Sequence, residues 1–216
     1  MTDVAQRILD VLNAEIVKRG GDLSSIKSET AYARQLDKDV RDLFNGKMTE
    51  REFTDRQVDR IDNQFNRAWN EGMRANGLDP KRDMTDEWAK VLDDRKVKEL
   101  DYIEGYASQI ADAGKAGGDI EPFRARVDMW SNRYNEVQDL AKVTTRPEDR
   151  FEWVEGPTSD KCDNCLALDG IVATGKDWAE SGWKPQSYDL ACHGYHCQCR
   201  WEQTDKPLTK GGIPSK

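Results

Sequence analysis

The sequence predicts a mainly α protein: long amphipathic helices forming an N-terminal helical body, followed by a small metal-clamped α+β head with short antiparallel strands. Three observations carry this. Apolar residues recur at helical spacing along most of the first 147 positions. All five cysteines and both histidines fall between Cys162 and Cys199, with none earlier. Four of the seven tryptophans (Trp153, Trp178, Trp183 and Trp201) fall in the same C-terminal stretch, where glycine- and proline-marked turns replace the helical pattern. The expected division is a helical body over 1–147 with about five helices, a Cys-rich head over 148–204 and a flexible tail over 205–216.

Taking the chain in order, Val4, Ile8, Val11, Leu12 and Ile16 mark one face of a first helix over residues 3–19, stopped by Gly20-Gly21. A second helix runs to about Phe44 on Tyr32, Leu36, Val40 and Leu43, with Asn45-Gly46 as its stop. The third has the clearest start. Thr49-Glu50-Arg51-Glu52 is a capping box, flanked by Met48 and Phe53 at the staple positions. Its stripe continues through Ile61, Phe65, Trp69 and Met73 to Asn76-Gly77, roughly 26 residues or about 39 Å. A fourth helix is expected from Thr85 to Ala113 and a fifth, after a glycine-rich turn, from Glu121 to Val143. Their aromatics read as core or interface, and the charge runs between them as solvated faces.

Beyond Thr144-Thr145-Arg146-Pro147 the pattern changes. Phe151–Val154 reads as a strand, Asp169-Gly170 as a hairpin-type turn into a second strand at Ile171-Val172, and 176–181 as a short helix. Residues 198–203 read as a last strand closing onto the first.

The formal net charge of −8 argues against autonomous nucleic-acid binding through phosphate neutralisation and suits a basic partner surface. The N-terminus lacks the apolar core of a signal peptide, and no apolar run reaches the length of a membrane span. A reducing compartment is therefore expected, where paired cysteines are more often metal ligands than disulfides. An odd count of five fits disulfide pairing poorly.

Cys162-Asp-Asn-Cys165 places two thiolates on one ion from a tight turn, and a second set far along the chain completes a tetrahedron. That second set is over-supplied: Cys192, Cys197 and Cys199, with His193 and His196 beside them. Sulfur-rich tetrahedral sites favour zinc. The metal residues expected are Cys162, Cys165, Cys192, Cys197 and Cys199; the spacing leaves open which four bind, and whether a histidine takes part. The ion's role is structural, because a segment of about 50 residues supplies too small a core to fold unaided. No catalytic residue is assigned. A zinc deaminase needs a His-x-Glu and a Pro-Cys-x-x-Cys that are missing here. A metal-dependent nuclease or processing enzyme using His193 or His196, and a zinc-binding adaptor, stand as alternative readings.

The C-terminal segment resembles the phage minor head proteins, the Mu F-like head morphogenesis family. The residues that carry the resemblance are Trp153, Cys162, Cys165, Leu168-Asp169-Gly170 and Cys197-Gln198-Cys199-Arg200, with Pro185-Gln186-Ser187 matching one branch. The family's more common His-Pro puts its histidine at Gly194, so Cys192 or His193 stands in for it. The resemblance covers the last quarter of the chain. It implies a non-enzymatic virion component, present in multiple copies, that associates with the portal protein and other capsid components, assists head assembly and contacts packaged or ejected DNA, in the phage head and, during assembly, the host cytoplasm.

Overall fold

The computed structural model describes residues 28–157, 161–194 and 197–216. The helix expected over 3–19 and the side chain of His196 lie outside these residues. The described chain is mainly helical with a small three-stranded antiparallel sheet near its C-terminus. The helices are α1 (Ser28–Phe44), α2 (Glu50–Ala75), α3 (Pro80–Asp83), α4 (Asp86–Lys115), α5 (Glu121–Arg124), α6 (Val127–Thr145), α7 (Asp163–Leu168) and α8 (Gly175–Glu180). The strands are β1 (Arg150–Val154), β2 (Val172–Thr174) and β3 (Arg200–Gln203). No described helix is long and apolar enough to cross a membrane.

Contacts divide the chain into two compact units, Met1–Gln64 with Asp94–Val127, and Phe65–Asp93 with Asp128–Lys216. The division falls elsewhere than at residue 147, so the cysteine head shares a unit with parts of α2 and α4 and most of α6.

In the first unit, Leu36, Val40 and Leu43 of α1, Phe53 and Ile61 of α2, and Ile103, Tyr106 and Ile110 of α4 form the buried core. The capping box at Thr49 is built as the sequence predicts. The Glu52 N–H donates to Thr49 Oγ1 at 3.2 Å, and the Thr49 N–H donates to Glu52 Oε2 at 2.8 Å. Met48 and Phe53 are both buried. Several charged residues of these helices are buried. Asp39 of α1 is 1% exposed and accepts from Arg56, Gln57 and Arg60 of α2, while Lys96 of α4 pairs with Asp62 of α2 at 2.8 Å. These charges sit on apolar faces and are tolerated there because each has partners.

The expected fifth helix is split. Arg126 N–H donates to the Phe123 carbonyl, an i→i+3 bond at 3.1 Å, and the Tyr106 hydroxyl donates to that same carbonyl. The acceptor that a continuous helix would offer to Val127 is thus already engaged, and α5 ends after one turn.

In the second unit, Phe65, Ala68, Trp69 and Met73 of α2 are buried with Met129, Trp130, Val137, Leu140 and Ala141 of α6. A Cβ on Gly72 would lie 2.4 Å from the Gln138 carbonyl oxygen and 2.6 Å from Ala141 Cβ, so these helices cross at backbone contact. The sheet has the order β2-β1-β3, and β3 closes antiparallel onto β1 with Trp153 opposite Trp201. Phe151 and Trp153 face inward, while Arg150, Glu152 and Val154 are only half-buried. Trp153, Trp178 and Trp201 form one cluster with ring centroids 5.6–6.1 Å apart. Trp183 is also buried, so the four head tryptophans pack as core.

The edge strand β3 is fastened to α6 by Asp139, which accepts the Trp201 N–H at 3.2 Å and pairs with Lys142 at 2.7 Å. Burial pushes the Asp139 carboxyl above its ordinary pKa, against the pull of Lys142 and the Trp201 amide. The tail expected to be flexible is tied down at several points. Thr209 exchanges two 2.9 Å hydrogen bonds with Val172, and the Pro214 carbonyl accepts from the Trp183 indole at 2.9 Å.

Candidate metal centre

The first cysteine pair sits on α7, a short helix that the sequence reading took for a turn. Cys162 is its N-cap, in extended conformation, and its sulfur accepts the Cys165 N–H at 3.5 Å. One turn later the Leu168-Asp169-Gly170 segment locks α7 against β1. Leu168 is buried, the Asp169 carboxylate accepts the Glu155 N–H at 2.9 Å, and Gly170 donates to the Trp153 carbonyl at 2.9 Å. Gly170 adopts φ +75°, a conformation that disfavours other residues. The Asp-Gly pair therefore joins helix to strand, whereas a hairpin turn was expected.

The second set arrives on a loop held by α6. Arg133, itself buried, donates to the Gln186 carbonyl at 2.7 Å, and the Asn132 amide donates to the Gly194 carbonyl at 3.0 Å. Gln186 is buried, with φ +60°, and its side-chain amide donates to the Cys199 carbonyl at 3.0 Å. Between the first two cysteines, Asn164 accepts the Ala191 N–H at 2.7 Å, which brings Cys192 up to α7.

These elements bring all five cysteines together as free thiols. Cys162, Cys165 and Cys192 form one group with sulfurs within 4.8 Å of one another, and Cys165, Cys197 and Cys199 form another. Cys165 belongs to both. Its sulfur lies 3.3 Å from that of Cys162 and 3.9 Å from that of Cys197. A tetrahedral ion bound by sulfur at about 2.3 Å requires neighbouring sulfurs roughly 3.8 Å apart, so the cluster fits such an ion with small adjustments. A disulfide would need an S–S distance of about 2.05 Å.

The thiols share charge. Contact with the Cys165 thiol, then with Cys197, holds Cys192 and Cys199 below the ordinary thiol range. Cys165 is pushed up, chiefly by Cys192, Cys197 and Cys199. Backbone N–H groups also reach the sulfurs: Gly194 to Cys192, Cys199 to Cys197, and Gly156 to Cys199. The Trp153 indole N–H, buried without a well-aligned hydrogen-bond partner, lies beside Cys199 and adds to that pull. Clustered thiols, two of them held toward the thiolate form, suit a cation that would bind them deprotonated.

His193 is placed differently. Its ring stacks on Tyr188 with centroids 4.8 Å apart, and its Nδ1 lies 3.0 Å from the Tyr188 carbonyl oxygen. Of Cys192 and His193, Cys192 joins a sulfur group and His193 joins neither. Gly194 itself has no room for a side chain, since a Cβ there would lie 2.5 Å from the Gln186 carbonyl oxygen. Arg133, Asn132 and Asn164 support the cluster and were not singled out from sequence; an Asn between the two cysteines of a Cys-x-x-Cys was the one available signal.

No protein family matches the chain, and neither does any curated protein or solved structure.

Proposed function

We propose that the chain is a phage minor head or head morphogenesis protein, a virion structural component without enzymatic activity, and that its cysteine cluster holds a structural zinc ion. The observation that carries this reading is the convergence of the motif residues. Trp153, the Cys162–Cys165 pair, the Leu168-Asp169-Gly170 lock and the Cys197–Cys199 pair, quoted above for the resemblance, are joined by direct contacts around one sulfur cluster. An all-sulfur donor set selects zinc among the common divalent ions of a reducing cell. When bound, the ion would be held by four of Cys162, Cys165, Cys192, Cys197 and Cys199, and would supply folding energy to a segment with a small core. The net charge of −8 suits docking to a basic surface of the portal or another capsid component.

Metal analysis of the pure protein tests the first half: one zinc per chain is expected, and none in the double variant Cys162→Ser/Cys165→Ser, which keeps only three sulfurs. Co-purification with portal or proheads tests the second half, and virions of normal composition assembled without the protein would count against it. Metal-dependent DNA cleavage abolished by His193→Ala would overturn the structural reading in favour of a nuclease.

A further inference from the structure

The cluster contains five sulfurs where a tetrahedral ion takes four, and the surplus has a definite geometry. Resting on the reading of this cluster as a metal centre, we propose that Cys165 is its one irreplaceable ligand. The other three places are filled from a pool of four sulfurs: Cys162, Cys192, Cys197 and Cys199.

Three observations support the assignment. Cys165 is the only member common to the two sulfur groups, the one sulfur within 4.8 Å of each of the other four among the described residues. The Cys162 sulfur has its own backbone N–H donor, from Cys165 at 3.5 Å. Cys162 on leaving the ion is therefore still hydrogen-bonded. The pool is also spread over separate supports: Cys162 on α7, Cys192 on the loop held by α6, and Cys197 and Cys199 on the segment entering β3. No single substitution disturbs all of them.

The exchange is a ligand substitution. An incoming thiol gives up its proton and bonds the ion as an outgoing thiolate leaves and takes a proton up. The ion's charge and oxidation state do not change. It follows that removing any one pool sulfur leaves four that include the shared one, whereas removing Cys165 takes away the one sulfur that belongs to both groups.

The test is zinc stoichiometry, chelator competition and the cobalt-substituted absorption spectrum of the full chain and five single variants. Cys162→Ser, Cys192→Ser, Cys197→Ser and Cys199→Ser should each keep one equivalent, with a four-thiolate cobalt spectrum and an affinity within roughly 100-fold of wild type. Cys165→Ser should lose the ion. Loss of the ion in any pool variant would fix that sulfur in a rigid set and overturn the proposal, as would a metal-loaded Cys165→Ser. If Cys165→Ser does not fold, the four pool variants still decide. A wild type that binds no ion would remove the metal centre itself, a different result from a wild type that binds one and a pool variant that does not.

Discussion

Gly194 shows how much of the cysteine cluster's geometry resides in residues that cannot bind metal. It combines φ +75° with a Cβ position 2.5 Å from the Gln186 carbonyl oxygen, so both conformation and space require glycine. Gly170 separates the two effects, because it has the same φ with nothing near its Cβ position. Gly170→Ala should therefore cost only the left-handed backbone penalty, roughly 1–2 kcal/mol. Gly194→Ala should add an overpacking cost of about 1–3 kcal/mol and weaken metal binding, because Gly194 donates to Cys192 and accepts from Asn132. Thermal melts and chelator competition on the two variants check this; equal losses would show that the close approach to Gln186 is unimportant. The cysteines themselves were legible in the sequence, since clustering and the Cys-x-x-Cys spacing are local signals. Arg133 and Asn132 were much less so, because they act across more than fifty positions of chain and nothing in their neighbourhoods announces a partner.

Among the elements, legibility followed the strength of the local signal. The helix beginning at Thr49 was readable because its capping box, staple and apolar stripe agree. α7 was missed because six residues carry no periodicity, and its only start signal is a cysteine acting as N-cap. The fifth helix was read as continuous because its interruption comes from the Tyr106 hydroxyl, on another helix. The capping box also carries a pH signature. The Thr49 backbone N–H, and then its hydroxyl, hold the Glu52 carboxyl below its ordinary pKa of 4.5. A depressed folded pKa means that this stabilisation is present above that value and is lost as pH falls through the folded pKa. Thr49→Ala should cost about 1 kcal/mol near neutral pH. The gap in melting temperature between wild type and Thr49→Ala should narrow as the pH is lowered below 4.5. A gap that stays constant through acid would mean that the bond from the Thr49 hydroxyl to the Glu52 carboxylate, at 2.9 Å, contributes nothing.

For the whole molecule, the sequence shows the change from helical to irregular pattern near residue 147, but chain contacts divide the protein elsewhere. The head is too small to supply its own core, and its buried tryptophans share a unit with α6, whose Asp139 fastens the edge strand. The burial of charges such as Asp39 and Asp62 is not legible because periodicity reports position on a helix, while burial depends on what packs against it. Two kinds of support thus act on the second unit: side-chain bonds from α6, and the sulfur cluster joining α7, the loop before Cys192 and the entry to β3. Taking the ion away removes only the second. Hydrogen exchange after chelation should therefore show lost protection in α7 and in β1, β2 and β3. Protection should persist in α1 and in α2 as far as Gln64, which belong to the other unit. Uniform loss along the chain would mean that the two units unfold as one. No loss anywhere would mean that the α6 bonds and the tryptophan cluster hold the head alone, and the ion would then need a role other than a structural one.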